Sequence, residues 1–135
     1  MPKKQTRALG ENAKILNDAH QRATKARDMQ EHAKAGDQFS MMGNLSRAEG
    51  HGSYHEGYYH LATNAYLYAL QEALESEKQP AIRQLLHKAR DASRNAGLLR
   101  TSETLGNLIT QFEQTGNSVT LKSLVQHLMT EDRLS

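Results

Sequence analysis

An all-α fold of five to six helices in a hairpin bundle, with stacked αα-hairpins as one arrangement of it, is predicted by three observations. Only two prolines occur in 135 residues, alternating runs of Val, Ile and Thr are absent, and Ala, Leu, Gln, Glu, Lys and Arg dominate. A hydrophobic fraction of 37% and a mean hydropathy of −0.76 confine the core to helix faces supplemented by alanine and tyrosine. The length suits one small domain.

The first helix is predicted over Gln5 to Ala35, where Leu9, Ala13, Leu16, Ala19, Ala23, Ala26, Met29 and Ala33 recur every three or four residues. Alanine buries little area, so residues 1–35 read as a basic, alanine-rich and weakly docked helix, and residues 36–135 as the helical-hairpin bundle. Gly36-Asp37 reads as a stop followed by a cap, opening a short second helix marked by Phe39, Met42 and Leu45 that ends near Gly50. Two glycines make Gly50-His51-Gly52-Ser53 a loop, and Ser53 with Glu56 forms a capping box for a third helix, Tyr54 to Lys78. On it, Ala62, Ala65, Ala69 and Ala73 permit close helix approach, flanked by Tyr58, Leu61, Tyr66, Leu70 and Leu74.

Pro80 suits the first turn of a fourth helix, with Ile82, Leu85, Leu86, Ala89 and Ala92 as its apolar stripe through Ala96, and Gly97 closes it. Thr101 or Ser102 starts a fifth, carrying Leu105, Leu108, Ile109 and Phe112 and ending at Gly116. Asn117 or Ser118 starts a sixth, carrying Leu121, Leu124, Val125, Leu128 and Met129. A faint repeat at 47 residues pairs Ser46-Arg47 with Ser93-Arg94, Gly50 with Gly97, Glu56 with Glu103 and Leu61 with Leu108, as two stacked hairpins would.

Phe39, Met42 and Gly43, followed by Gly52-x-Tyr54, carry a resemblance to the tetratricopeptide helical hairpin over residues 37–74. That resemblance implies a partner-binding groove.

Several chemistries lack their residues. With no cysteine there is no disulfide, thiol nucleophile or Cys-ligated metal; no Gly-x-Ser-x-Gly elbow or phosphate loop occurs. The cluster His51, Tyr54, His55, Glu56, Tyr58, Tyr59 and His60 holds a His-Glu pair. However, His55 and His60 are five apart, about 140° around a helix, and cannot share a metal. The expectation is a non-catalytic protein with neither metal nor cofactor. No apolar run approaches the roughly 20 residues that cross a bilayer, so no membrane partner and a cytoplasmic location are expected.

Charge is unevenly spread: residues 1–35 carry 8 basic against 4 acidic side chains, and residues 36–135 carry 9 against 11. Arg83, His87, Arg90 and Arg94, spaced 4, 3 and 4, form one basic stripe opposite the apolar face of the fourth helix, with Glu72, Glu75 and Glu77 available to neutralise it. The leading expectation is an adaptor-like domain binding a protein partner through Tyr54, His55, Tyr58, Tyr59, Arg83, Arg90 and Arg94, since tyrosine and arginine dominate interface energetics. With 2 Phe and no Trp, Tyr66 and Tyr68 are expected to serve as packing mass, while the sequence does not assign which of the five tyrosines face outward. The alternative is a small nucleic-acid-binding regulator using Lys3, Lys4, Arg7, Arg83, Arg90 and Arg94, dimeric through the first helix. Residues 104–128 offer a helix-turn-helix pattern, but only Lys122 among Thr120, Lys122, Ser123 and Gln126 is charged, and a plain αα-hairpin of the core is the expected reading. A third reading is a homo-oligomeric or mixed assembly subunit whose first helix is ordered by a neighbour.

Overall fold

The computed structural model describes residues 29–48 and 54–130, in five helices: α1 (Met29–Ala48), α2 (Tyr54–Glu75), α3 (Gln79–Asn95), α4 (Leu99–Thr115) and α5 (Val119–Thr130). No strand occurs among the described residues.

The break predicted at Gly36-Asp37 does not exist, and the boundary drawn between residues 35 and 36 falls inside α1. Gly36 serves contact rather than termination. A Cβ there would come within 2.5 Å of Tyr66 Cε1, and one at Gly43 within 2.7 Å of Tyr59 Cε1. Each tyrosine ring of α2 thus lies directly on the α1 backbone, and each hydroxyl is held at the next residue along. Tyr66 donates to Asp37 Oδ1 at 2.6 Å, and Tyr59 donates to Asn44 Oδ1.

α2 ends at Glu75, three residues short of the expected Lys78, because the chain wraps there. The Glu77 N–H bonds to Leu74 O and the Lys78 N–H to Ala73 O, with Glu77 left-handed at φ 55°. The α3–α4 turn repeats this geometry, its Gly97 N–H reaching Arg94 O and its Leu98 N–H reaching Ser93 O, with Gly97 at φ 79°. Pro80 does sit in the first turn of α3. α4 starts at Leu99, ahead of Thr101, and Gly116 ends it at φ 65°. Asn117 then caps α5 by accepting the Val119 N–H at 2.9 Å.

The hairpins set the packing. α2, α3, α4 and α5 are neighbours in that order, α5 returns to lie on α2, and α1 covers the remaining side of α2. The core comprises Phe39 and Met42 from α1 and Leu67, Leu70 and Leu74 with the alanine row from α2. Ile82, Leu85 and Leu86 come from α3, Leu105, Leu108, Ile109 and Phe112 from α4, and Leu121, Val125 and Leu128 from α5. At the 47-residue offset, Ala35 matches Ile82, Phe39 matches Leu86, Met42 matches Ala89 and Ser46 matches Ser93, all of them buried. The hairpin correspondence thus holds for α1 and α3. It fails at Leu61, which is exposed where Leu108 is buried.

Candidate functional site

The tyrosines divide differently from expectation. Tyr59, assigned to the partner surface, is 1% exposed: it is packed on Gly43 and bonded to Asn44, and the Arg47 guanidinium lies 5.0 Å from its ring centroid. Tyr58 is half-buried against the core, and His55, also half-buried, meets the Tyr59 ring edge-on. Tyr54 is the first residue of α2. Tyr68, expected as packing mass, is 46% exposed and stacks on His32. A period of 3.6 cannot separate these residues, because α2 is covered by α1, α3 and α5 and buries most of its circumference.

Tyr66 is buried as expected, at the centre of a polar knot. Its hydroxyl donates to Asp37 and lies 3.3 Å from Ser40 Oγ, and Lys88 Nζ reaches the same Asp37 carboxylate at 3.0 Å from α3. Burial pushes its pKa well above the usual phenol value, and the Asp37 acceptor adds to that; Ser40 opposes it.

The basic stripe survives. Ile82, Leu85, Leu86, Ala89 and Ala92 are buried on the other side of α3, Arg83 and Arg94 are exposed, and the two half-buried members of the row, His87 and Arg90, reach α4. His87 Nε2 lies 3.5 Å from Glu113 Oε1, and Arg90 Cδ lies 3.9 Å from where a Cβ on Gly106 would be. The facing flank of α4 is thereby Ser102, Gly106, Thr110 and Glu113. Both hydroxyls there turn back on their own helix, Ser102 Oγ to Leu99 O and Thr110 Oγ1 to Gly106 O.

Neutralisation by α2 does not occur. Arg90 Nη2 pairs with Asp91 at 3.3 Å while its Nε has no acceptor; among the described residues, Arg83 and Arg94 make no ion pair with Glu72, Glu75, Glu77 or any other carboxylate. For Arg94 the reason is distance, since the three glutamates lie at the end of α2 and in the α2–α3 turn whereas Arg94 lies at the far end of α3; Arg83 lies near that turn and still pairs with none of them. Arg83 and Arg94 are both exposed, 11 residues apart, about 16 Å along the helix.

Other features bear on chemistry. No group of three His, Cys, Asp or Glu is placed to hold a metal among the described residues. A hollow of about 150 Å³ at the α4–α5 turn is lined by Leu108, Phe112, Leu121, Thr115, Asn117 and Thr120. That is below the roughly 300–1,000 Å³ of small-molecule sites. No described helix is long and apolar enough to cross a membrane. In the suggested helix-turn-helix, α5 turns Leu121, Val125 and Leu128 into the core and leaves Thr120, Ser123 and Gln126 exposed. Lys3, Lys4, Arg7 and His51 lie outside the described residues.

What sequence reading missed was the pairing of Gly36 with Tyr66 and Gly43 with Tyr59. The signal was present: two glycines and two tyrosines, each pair seven residues apart. The arrangement is one of five packed helices, adjacent ones in contact, which is compatible with a helical-repeat fold. In comparisons with known proteins, no family, curated protein or solved structure matches the chain, so the tetratricopeptide resemblance gains no support from a relative.

Proposed function

We propose that this chain is a non-catalytic protein-interaction domain that binds its partner along the α3–α4 flank. The observation that carries the reading is the pair of exposed guanidiniums, Arg83 and Arg94, which the fold leaves without a carboxylate among the described residues. Arginine presents a rigid fork of donors and ranks among the residues that contribute most at interfaces. Tyr59 leaves the proposed surface; Arg83, Arg90 and Arg94 remain on it, with Gly106 of α4 beside Arg90.

The nucleic-acid reading has the same arginines in its favour and the neighbouring carboxylates against it. Asp91 and Glu113 interrupt the row, while a single strand offers a charge about every 3.4 Å. An assembly subunit is favoured instead by the exposed Met41 and Leu45 on α1 and Leu61 and Tyr68 on α2.

The test is site-specific photocrosslinking in cells producing the full chain, with the photoreactive residue at Thr110 on the α3-facing flank of α4 or at Asn107 on its outer side. A discrete protein adduct from position 110 that disappears in R83E/R94E is the expected result. Adducts from position 107 alone, or an adduct indifferent to R83E/R94E, would remove the α3–α4 flank from the function.

A further inference from the structure

Given that reading of the α3–α4 flank, we infer that the element received there is an acidic α-helix laid along the arginine row, with carboxylates three turns apart on one face. The argument begins with Arg83 and Arg94. Eleven residues is close to three helical turns, so the two guanidiniums project from nearly the same angle of α3, about 20° apart. A second helix lying alongside has the same rise. Carboxylates at its positions i and i+11 therefore also share a face and meet the two arginines together. An extended peptide rising about 3.3 Å per residue brings successive same-side groups out of step with this spacing.

The middle of the row fits the same occupant. Between the two arginines carboxylates are already in place, Asp91 at 3.3 Å from Arg90 Nη2 and Glu113 at 3.5 Å from His87 Nε2, so a third carboxylate there would meet like charge and the central contact calls for a small or apolar side chain. The neighbouring flank of α4 is low there. Ser102 and Thr110 spend their hydroxyls on their own helix, and Gly106 has no side chain at all.

Gly106 has no other account within the fold. Gly36 and Gly43 have a ring against them, Gly97 and Gly116 have positive φ, and Gly57, which like Gly106 has neither, meets nothing within 4 Å, whereas Gly106 faces the arginine row at Arg90. Gly106 lies inside α4 and a Cβ there would meet only Arg90 Cδ, at 3.9 Å, an ordinary contact. Alanine would fit and is the better helix former, so the glycine lowers the stability of α4 without a packing return from this chain. Close approach of a partner backbone is the gain a glycine offers at such a place.

The test uses the full chain and three labelled probes in fluorescence anisotropy at 50 mM salt. One is an alanine-rich helical peptide with Glu at i and i+11 and Ala at i+4 and i+7, another the same peptide with two central prolines, and the last a single-stranded DNA of equal charge. The expected order is helical peptide first, about tenfold or more ahead of both others, with R83E/R94E abolishing binding. G106L should weaken the helical peptide about tenfold, and G106A should weaken it less while raising the melting temperature, which shows that the loss is not one of folding. Equal binding of the proline peptide, tighter binding of DNA, or indifference to G106L each overturns the inference. If R83E/R94E abolishes the cellular crosslink while the helical peptide fails to bind, the flank still serves a partner and the partner is not an acidic helix. If neither responds, the reading of the flank itself fails.

Discussion

The Tyr66 ring occupies the space that a side chain at position 36 would need: Tyr66 Cε1 lies 2.5 Å from the Cβ position of Gly36. One helical heptad away along both helices, Tyr59 stands over Gly43 in the same way, and Asp37 and Asn44 follow the two glycines to accept the two phenol protons. The α1–α2 register is thus set by two repeats of one contact. A slip of a single residue would put a side chain under each ring.

Gly36→Ala and Gly43→Ala are expected to destabilise the protein by about 1–3 kcal/mol each, because buried rings cannot retreat from the added methyl. Helix propensity alone predicts the opposite sign, a gain of about 1 kcal/mol. Urea denaturation decides between them. Gly57→Ala serves as the control, since nothing lies within 4 Å of a Cβ there and propensity should prevail.

The raised pKa of Tyr66 links stability to alkaline pH. The folded state holds the phenol proton more tightly than the unfolded chain, whose tyrosines titrate near about 10. The contribution is therefore fully present below about pH 10 and is lost as pH rises through the folded-state value, at up to about 1.4 kcal/mol per pH unit. Between pH 9 and 11.5, unfolding free energies of the wild type should fall more steeply than those of Tyr66→Phe. Parallel curves would show that the buried phenol is not coupled to folding.

Glu77 adopts at φ 55° the conformation that Gly97 adopts at 79° in the equivalent turn. Glu77→Gly should stabilise by roughly 0.5–1 kcal/mol, and Gly97→Ala should cost about as much. Both shifts are read as melting-temperature changes of opposite sign. A destabilised E77G would mean that the Glu77 side chain contributes more than its backbone strain removes.

The Lys88–Asp37 pair joins α3 to α1 at 3.0 Å, yet its side chains are 34% and 52% exposed. Solvent screening holds its worth to roughly 0–1 kcal/mol. Lys88→Met should cost less than 1 kcal/mol at low salt, and the difference should vanish near 0.5 M salt. A loss above about 2 kcal/mol would instead point to the contact of Lys88 with the Tyr66 ring.

Where local chemistry suffices, the sequence was a reliable guide. Pro80 opens α3, Gly97 and Gly116 close α3 and α4, and the stripe from Ile82 to Ala92 is buried. Those features depend on what one helix does at its own ends and on its own face. Gly36-Asp37 misled because a glycine that ends a helix and a glycine that admits a neighbouring ring look alike until the neighbour is known. For the candidate site, the basic stripe was legible as a pattern, but the contacts of His87 and Arg90 with α4, and the absence of a carboxylate at Arg83 and Arg94 among the described residues, were not. The Tyr59/Tyr68 expectation was reversed for the same kind of reason: three neighbours cover α2, and only their placement says which part of its surface stays open.

By itself, then, the sequence determined an all-helical chain, the helix ends fixed by Pro80, Gly97 and Gly116, and the apolar stripes of α3 to α5, since each follows from steric and hydrogen-bonding rules acting within a few residues. Packing between helices decided that α1 runs unbroken through Gly36, that Tyr59 goes inside while Tyr68 stays out, and that Arg83 and Arg94 meet no carboxylate among the described residues. Those outcomes depend on distances between residues far apart in the chain, which packing fixes and periodicity does not encode.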